Sequence, residues 1–161
     1  MTVLVIGIGN PFRCDDGIGP AVATELERAS LDGVRVLTST GDPAELLTAW
    51  TGVDVAIIVD AGVGAHLIPG RIRRWRPGAG PAPAAVSSHT LDLPATCALG
   101  EALGRMPRRL VVLTVDAAEV GFGATLSPAV AAVVPAVVAA VCTEIGRHRT
   151  TATPLSGERW K

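Results

Sequence analysis

Residues Thr2-Val3-Leu4-Val5-Ile6 form an unbroken apolar run, which suits a strand covered on both faces. A glycine turn, Gly7-Ile8-Gly9-Asn10, follows at once. From about Gly17 the spacing of Ile18, Val22 and Leu26 predicts a helix with one apolar stripe. A doubly covered strand feeding straight into an amphipathic helix commits the chain to an α/β fold, because both faces of the sheet need a layer over them. The turn between strand and helix reads Pro11-Phe12-Arg13-Cys14-Asp15-Asp16. Two carboxylates are thereby placed at a strand's carboxyl end, where ligands bind in open α/β sheets.

The pattern repeats along the chain. Strand 2 is predicted at Val34–Leu37, strand 3 at Val55–Val59 closing at Asp60, strand 4 at Arg71–Trp75 and strand 5 at Leu110–Val115. Helix 2 is expected from Pro43 to Trp50 with Asp42 as its N-cap. Helix 3 is expected from Thr90 or Leu91 to Leu103, and helix 4 from Ser127 and Pro128 to about Ile145, with Pro135 kinking it. Strands 1, 2, 3 and 5 alternate with helices and should run parallel. The link from strand 3 to strand 4, Ala61 to Pro69, is too short for a parallel crossover. Strand 4 is therefore expected to be antiparallel and at an edge. Its arginines, Arg71, Arg73, Arg74 and Arg76, suit a solvated, protected edge. The chain reads as one domain over residues 1–146, followed by a polar, frayed tail over 147–161.

Composition removes several classes of function. A net charge of −1 argues against a general binder of nucleic acid or anionic membrane. At 3% aromatic residues, base-stacking platforms are not expected. The N-terminus has no basic run and no leader pattern. The apolar stretch Ala129–Val141 is interrupted by Pro135 and is too short to span a bilayer. Three scattered cysteines, Cys14, Cys97 and Cys142, do not make a disulfide framework, which points to the cytoplasm.

Three residues stand out as candidate ligands. Asp16 follows strand 1, Asp60 closes strand 3, and His89 precedes helix 3. In a flavodoxin-like strand order, strands 1 and 3 are neighbours at the switch point, so the two acids share a crevice that His89 could close. Two carboxylates and an imidazole suit an open site for a divalent transition metal. Each residue also has a plainer reading. Asp15 and Asp16 could cap helix 1. Asp60 could form a turn before Gly62, and His89 could be an ordinary loop histidine. His66 and His148 read as surface residues, and Cys14 as a small residue filling a turn. Gly7-Ile8-Gly9 opens like a dinucleotide fingerprint, but Phe12 stands where the third glycine belongs. There is no Gly-Lys-Ser/Thr phosphate loop and no Gly-x-Ser-x-Gly elbow.

The run Gly7-Ile8-Gly9-Asn10 with Asp15-Asp16-Gly17-Ile18-Gly19 resembles the opening of the hydrogenase maturation proteases. Ile57-Ile58-Val59-Asp60-Ala61 is similar to that family's second acidic segment, Ser88-His89 with Leu91 to its histidine segment, and Thr125-Leu126-Ser127-Pro128 to the start of its last helix. The resemblance implies a three-layer α/β/α sandwich of the phosphorylase/hydrolase type, with a five-stranded mixed sheet and four main helices. It implies an endopeptidase of the aspartic type that removes the C-terminal extension of a [NiFe]-hydrogenase large-subunit precursor. Asp16, Asp60 and His89 would bind nickel carried by that precursor, with Asp16 and Asp60 as catalytic carboxylates. No organic cofactor, nucleic acid or membrane is expected, and the state expected is a monomer. The family commonly has a glutamate where this chain has Asp16, whose reach is shorter by about 1.5 Å. The family's glycine-rich, substrate-selecting segment after strand 2 corresponds loosely to Thr38-Ser39-Thr40-Gly41-Asp42-Pro43. Two other functions stand beside this one: a non-cleaving, metal-dependent checkpoint or chaperone, and a small-molecule enzyme on a flavodoxin-like fold.

Overall fold

A computed structural model describes residues 1–81 and 93–151. Its five strands are β1 (Val3–Ile8), β2 (Val34–Ser39), β3 (Val55–Gly62), β4 (Ile72–Trp75) and β5 (Arg109–Asp116). Its helices are α1 (Ile18–Ala29), α2 (Pro43–Trp50), α3 (Leu93–Leu103) and α4 (Pro128–Thr151), with a 3-10 turn at Cys14–Gly17 leading into α1. The sheet order is β2-β1-β3-β5-β4. Pairing is parallel for β1–β2, β1–β3 and β3–β5, and antiparallel for β4–β5. The short link after β3 thus has the consequence expected of it: β4 returns along an outer edge.

Alternation along each strand divides the core in two. Val3, Val5, Val55, Ile57, Val111 and Leu113 pack against Ile18, Val22 and Leu26 of α1 and Val130, Val137 and Val141 of α4. Leu4, Ile6, Ile8, Ala56, Ile58 and Val112 face Leu46, Leu47 and Trp50 of α2 and Cys97 of α3. This is the three-layer sandwich. Burial lifts the Cys97 thiol to about 11, with Glu101 adding to it, so this cysteine behaves as a small apolar residue. Helix α2 starts where Asp42 accepts a hydrogen bond from the Glu45 amide at 2.9 Å, with Pro43 at the first helical position.

Glycines set the spacing between α1 and the sheet. A Cβ on Gly19 would lie 2.2 Å from the Ile8 carbonyl oxygen and 2.7 Å from that of Val59. A Cβ on Gly7 would lie 2.2 Å from the Gly19 oxygen. The first turn of α1 therefore sits directly on the backbones of β1 and β3, an approach closed to any larger residue.

Two sequence expectations are corrected. Helix α4 does not stop near Ile145 but continues through residues assigned to the polar tail, as far as Thr151. His148 is consequently buried, not a surface residue. The full helix is long and apolar enough by composition to cross a membrane, whereas the sequence reading, ending the apolar stretch at Val141, made it too short. Here its Val130, Val137, Val141 and Ile145 face closes the core.

The arginines of the β4 edge are the second correction, because three of the four hold buried carboxylates. Arg71 and Arg73 each donate from Nε to Asp116 at 3.0 Å, and Arg74 grips Glu144 through Nε and a second nitrogen at 3.1 Å. Asp116 also accepts from the Ile68 amide at 3.0 Å, which pins the β3–β4 connection to the end of β5. Burial pushes the Asp116 carboxyl up, but the bonds from Arg73, Ile68 and Arg71 outweigh it and hold it below the usual range. The Arg74 bonds lower Glu144 against its own burial. His148 Nδ1 lies 3.1 Å from an Arg109 nitrogen that can only donate, so the ring is neutral there. Burial first, then Arg109, depresses its pKa, with Glu144 opposing.

Two outcomes follow. Gly19→Ala should lower stability by about 2 kcal/mol or more in urea unfolding. Gly146→Ala, with open space around its Cβ inside α4, should raise it by about 0.5–1 kcal/mol. Stability should also fall with pH. Below about 6.5 the unfolded chain gains a proton that folded His148 refuses, and below about 4 the unfolded carboxylates gain protons that Asp116 and Glu144 refuse. Urea midpoints measured at pH 7.5, 5.5 and 3.5 should drop stepwise, and His148→Gln should flatten the step between pH 7.5 and 5.5.

Candidate active site

The carboxyl ends of β1 and β3 are neighbours, with Gly7 paired to Val59. Asp60 comes directly after Val59, inside β3 and not in a turn, and is 5% exposed. Its Oδ1 accepts from the Ala61 amide at 2.8 Å. Asp16 is fully buried in the 3-10 turn, and its Oδ2 accepts from the Asn10 amide at 2.8 Å. A Cβ on Gly9 would lie 1.8 Å from the Asp16 carbonyl oxygen, so the turn is folded back onto the end of β1. Glycine at 9, with φ of +146°, is what permits that return. Both acids thus occupy one edge of the sheet, on adjacent strand ends, and both are held by backbone amides. Burying carboxylates is costly unless they are hydrogen-bonded or coordinate a cation.

His89, the third candidate, lies outside the described residues. Among the described residues no cluster of three or more His, Cys, Asp or Glu side chains is arranged to hold a metal ion.

Asp15 has a different task from its neighbour, and from the helix cap expected of it. Helix α1 has Gly17 at its N-cap position and no side-chain cap. Asp15 instead accepts from the amides of Ala118 and Glu119 at 2.8 and 3.0 Å, and from the Ser127 amide and hydroxyl at 2.7 and 2.9 Å. Its own amide donates to the Glu119 carbonyl at 2.9 Å. One carboxylate therefore ties both ends of the β5–α4 loop to the turn that carries Asp16. Sequence reasoning had no signal for this, since the partners lie more than a hundred positions away.

Cys14 is half-buried with a left-handed φ of +47°, as a turn residue. Burial, then Glu119 and Asp15, raise its thiol, which opposes thiolate chemistry. Beside the acids, towards β2, runs a groove of about 640 Å³ lined by Gly9, Pro11, Thr38, Thr40, Glu45 and Leu126, among others. His66 is exposed on the β3–β4 connection, as expected.

A family model described as HycI, hydrogenase maturation protease, matches residues 20–144. The chain belongs to the hydrogenase maturation protease family. The match includes Asp60 and His89 and begins just after Asp16. Solved structures agree across nearly the whole chain. The hydrogenase maturating endopeptidase HYBD from E. coli is 27% identical, with a TM-score of 0.81 over 92% of this chain and 94% of that one. An endopeptidase from Escherichia coli solved in solution is 28% identical, with a TM-score of 0.78 over 89% and 91%. The [NiFe] hydrogenase maturation protease HybD from Thermococcus kodakarensis is 27% identical, with a TM-score of 0.70 over 89% and 98%. No curated protein sequence gives a significant match. The protein is accordingly a hydrolase, an endopeptidase of hydrogenase maturation.

Asp15→Ala should unfasten the β5–α4 loop. It should cost about 2–4 kcal/mol in urea unfolding and speed amide exchange at Ala118, Glu119 and Ser127, because several donors lose one buried acceptor together.

Proposed function

We propose that this endopeptidase removes the C-terminal extension of a [NiFe]-hydrogenase large-subunit precursor and recognises it by the nickel already bound there. The observation that carries this reading is the pair of buried carboxylates, Asp16 and Asp60, on adjacent strand ends of a family member. Their hard oxygen donors, with the imidazole of His89, form a donor set suited to a divalent transition metal that keeps other ligands from the precursor. Nickel here is part of the substrate. A precursor lacking it would forgo these contacts and bind weakly, so cleavage would follow metal loading.

Hydrolysis needs a base for the attacking water, and Asp16 and Asp60 are the carboxylates we assign to it. One takes the water proton as the carbonyl carbon is attacked, and returns it to the amine that leaves with the extension. Alternatively, nickel of the precursor held by Asp16, Asp60 and His89 would supply Lewis-acid polarisation of the scissile carbonyl. With an aspartate at position 16, shorter by one methylene than a glutamate, the metal would sit deeper or be bound more weakly. The protein works in the cytoplasm, in keeping with Cys14, Cys97 and Cys142 as free thiols.

Purified protein incubated with nickel-loaded and nickel-free precursor, read by mass spectrometry of the precursor's C-terminus, should cleave the loaded form alone. Equal cleavage of both would refute nickel recognition, and an intact C-terminus in both would refute proteolysis. Asp16→Asn, Asp60→Asn and His89→Ala should each lower cleavage by about a hundredfold or more with circular dichroism unchanged.

A further inference from the structure

The chain has two phenylalanines, Phe12 and Phe122, and both face solvent, 69% and 99% exposed. Single exposed apolar residues are ordinary. These two are distinguished by where their loops meet. The Gly123 amide donates to the Phe12 carbonyl at 3.0 Å, the Cys14 amide donates to the Gly123 carbonyl at 2.8 Å, and Arg13 pairs with Gly123 as an isolated bridge. Glycine is needed at 123, where φ is +158° and a Cβ would lie 2.7 Å from Cys14 Sγ. Asp15 fastens the same two segments again through Ala118, Glu119 and Ser127. Two loops far apart in sequence are thus joined into one braced platform with an aromatic residue on each half.

That platform adjoins the acid-bearing edge. It continues directly into Asp16 along the chain, and Pro11, Cys14, Ala124 and Leu126 from its two halves line the groove beside Gly9 and Gly17. On the protease reading, a protein substrate brought to Asp16 would come to the groove that both halves of this platform line. Bracing removes the ordering cost that a mobile loop would incur on binding. Exposed aromatic side chains, with charged residues such as Arg13 and Glu119 in the same loops, make the usual anchors of such an interface.

We propose that Phe12 and Phe122 are the docking anchor for the folded precursor, seating on an apolar patch next to its scissile segment and fixing which protein is held over the acids. The inference rests on the protease reading and goes beyond it, because it assigns substrate affinity to residues outside the carboxylate set.

The test compares wild-type protein with Phe12→Ala/Phe122→Ala, using nickel-loaded precursor, with binding by surface plasmon resonance and cleavage by mass spectrometry. The double variant should bind at least about tenfold more weakly and raise KM by a similar factor, with kcat within about twofold. Unchanged binding overturns the anchor while leaving the protease reading intact. A wild type that binds without cleaving overturns the protease reading, and the binding comparison then decides the anchor alone. A wild type that neither binds nor cleaves overturns both. Sedimentation covers the other occupant: a wild-type dimer that becomes monomeric in the variant assigns the platform to a second copy of the chain and overturns the proposal.

Discussion

The contact on which the rest of this molecule depends is the backbone-to-backbone approach of helix α1 to strands β1 and β3 at Gly7 and Gly19. With no side chain at either position, the helix rests against the Ile8 and Val59 main chains. The turn that leads into the helix must then fold back over the strand end, and Gly9 provides the backbone freedom for it. Asp16 is buried at the edge, with its carboxylate on the Asn10 amide, because of this sequence of close approaches. The Gly-x-Gly run, so like the start of a nucleotide-binding fingerprint, here serves packing and the placement of an acid.

Around that contact the protein divides its charged groups between support and chemistry. Asp15, Asp116 and Glu144 are buried carboxylates whose partners are all accounted for by loop amides, a serine or arginines. They fasten the β5–α4 loop, the β3–β4 connection and the β4 edge, the irregular segments a five-stranded sheet leaves least secure. Asp16 and Asp60 lie instead where β1 and β3 end, and are the acids proposed for the chemistry. Family membership supplies the reaction class, and the position of these two acids supplies the reading of how a metal-bearing precursor is held.

Much of the architecture could be read from residue order. Apolar runs located the strands, the length of the Ala61–Pro69 link made β4 antiparallel, and Asp42-Pro43 marked the start of α2. What escaped was governed by distance along the chain. Asp15 and Asp16 are chemically identical neighbours, and only partners beyond residue 117 separate their tasks. The arginines of β4 read as solvated charge because Asp116 and Glu144 lie forty to seventy positions downstream. His148 read as surface because its neighbours, Arg147 and Arg149, are polar, while α4 turns that one position inward. Of the proposed ligands, Asp16 and Asp60 were legible as acids after strands, whereas His89 rested on family likeness and local order alone.

The division of labour between Asp15 and Asp16 has a consequence for how the sequence can vary. The segment from Gly9 to Gly19 is clamped at both ends, by the strand on one side and by the helix packing on the other. Losing or gaining a single residue within it would rotate the tandem acids, sending the loop fastener to the strand end and its neighbour to the loop. The length of that stretch therefore matters as much as its residues, because the spacing alone decides which acid meets the loop and which meets the strand end.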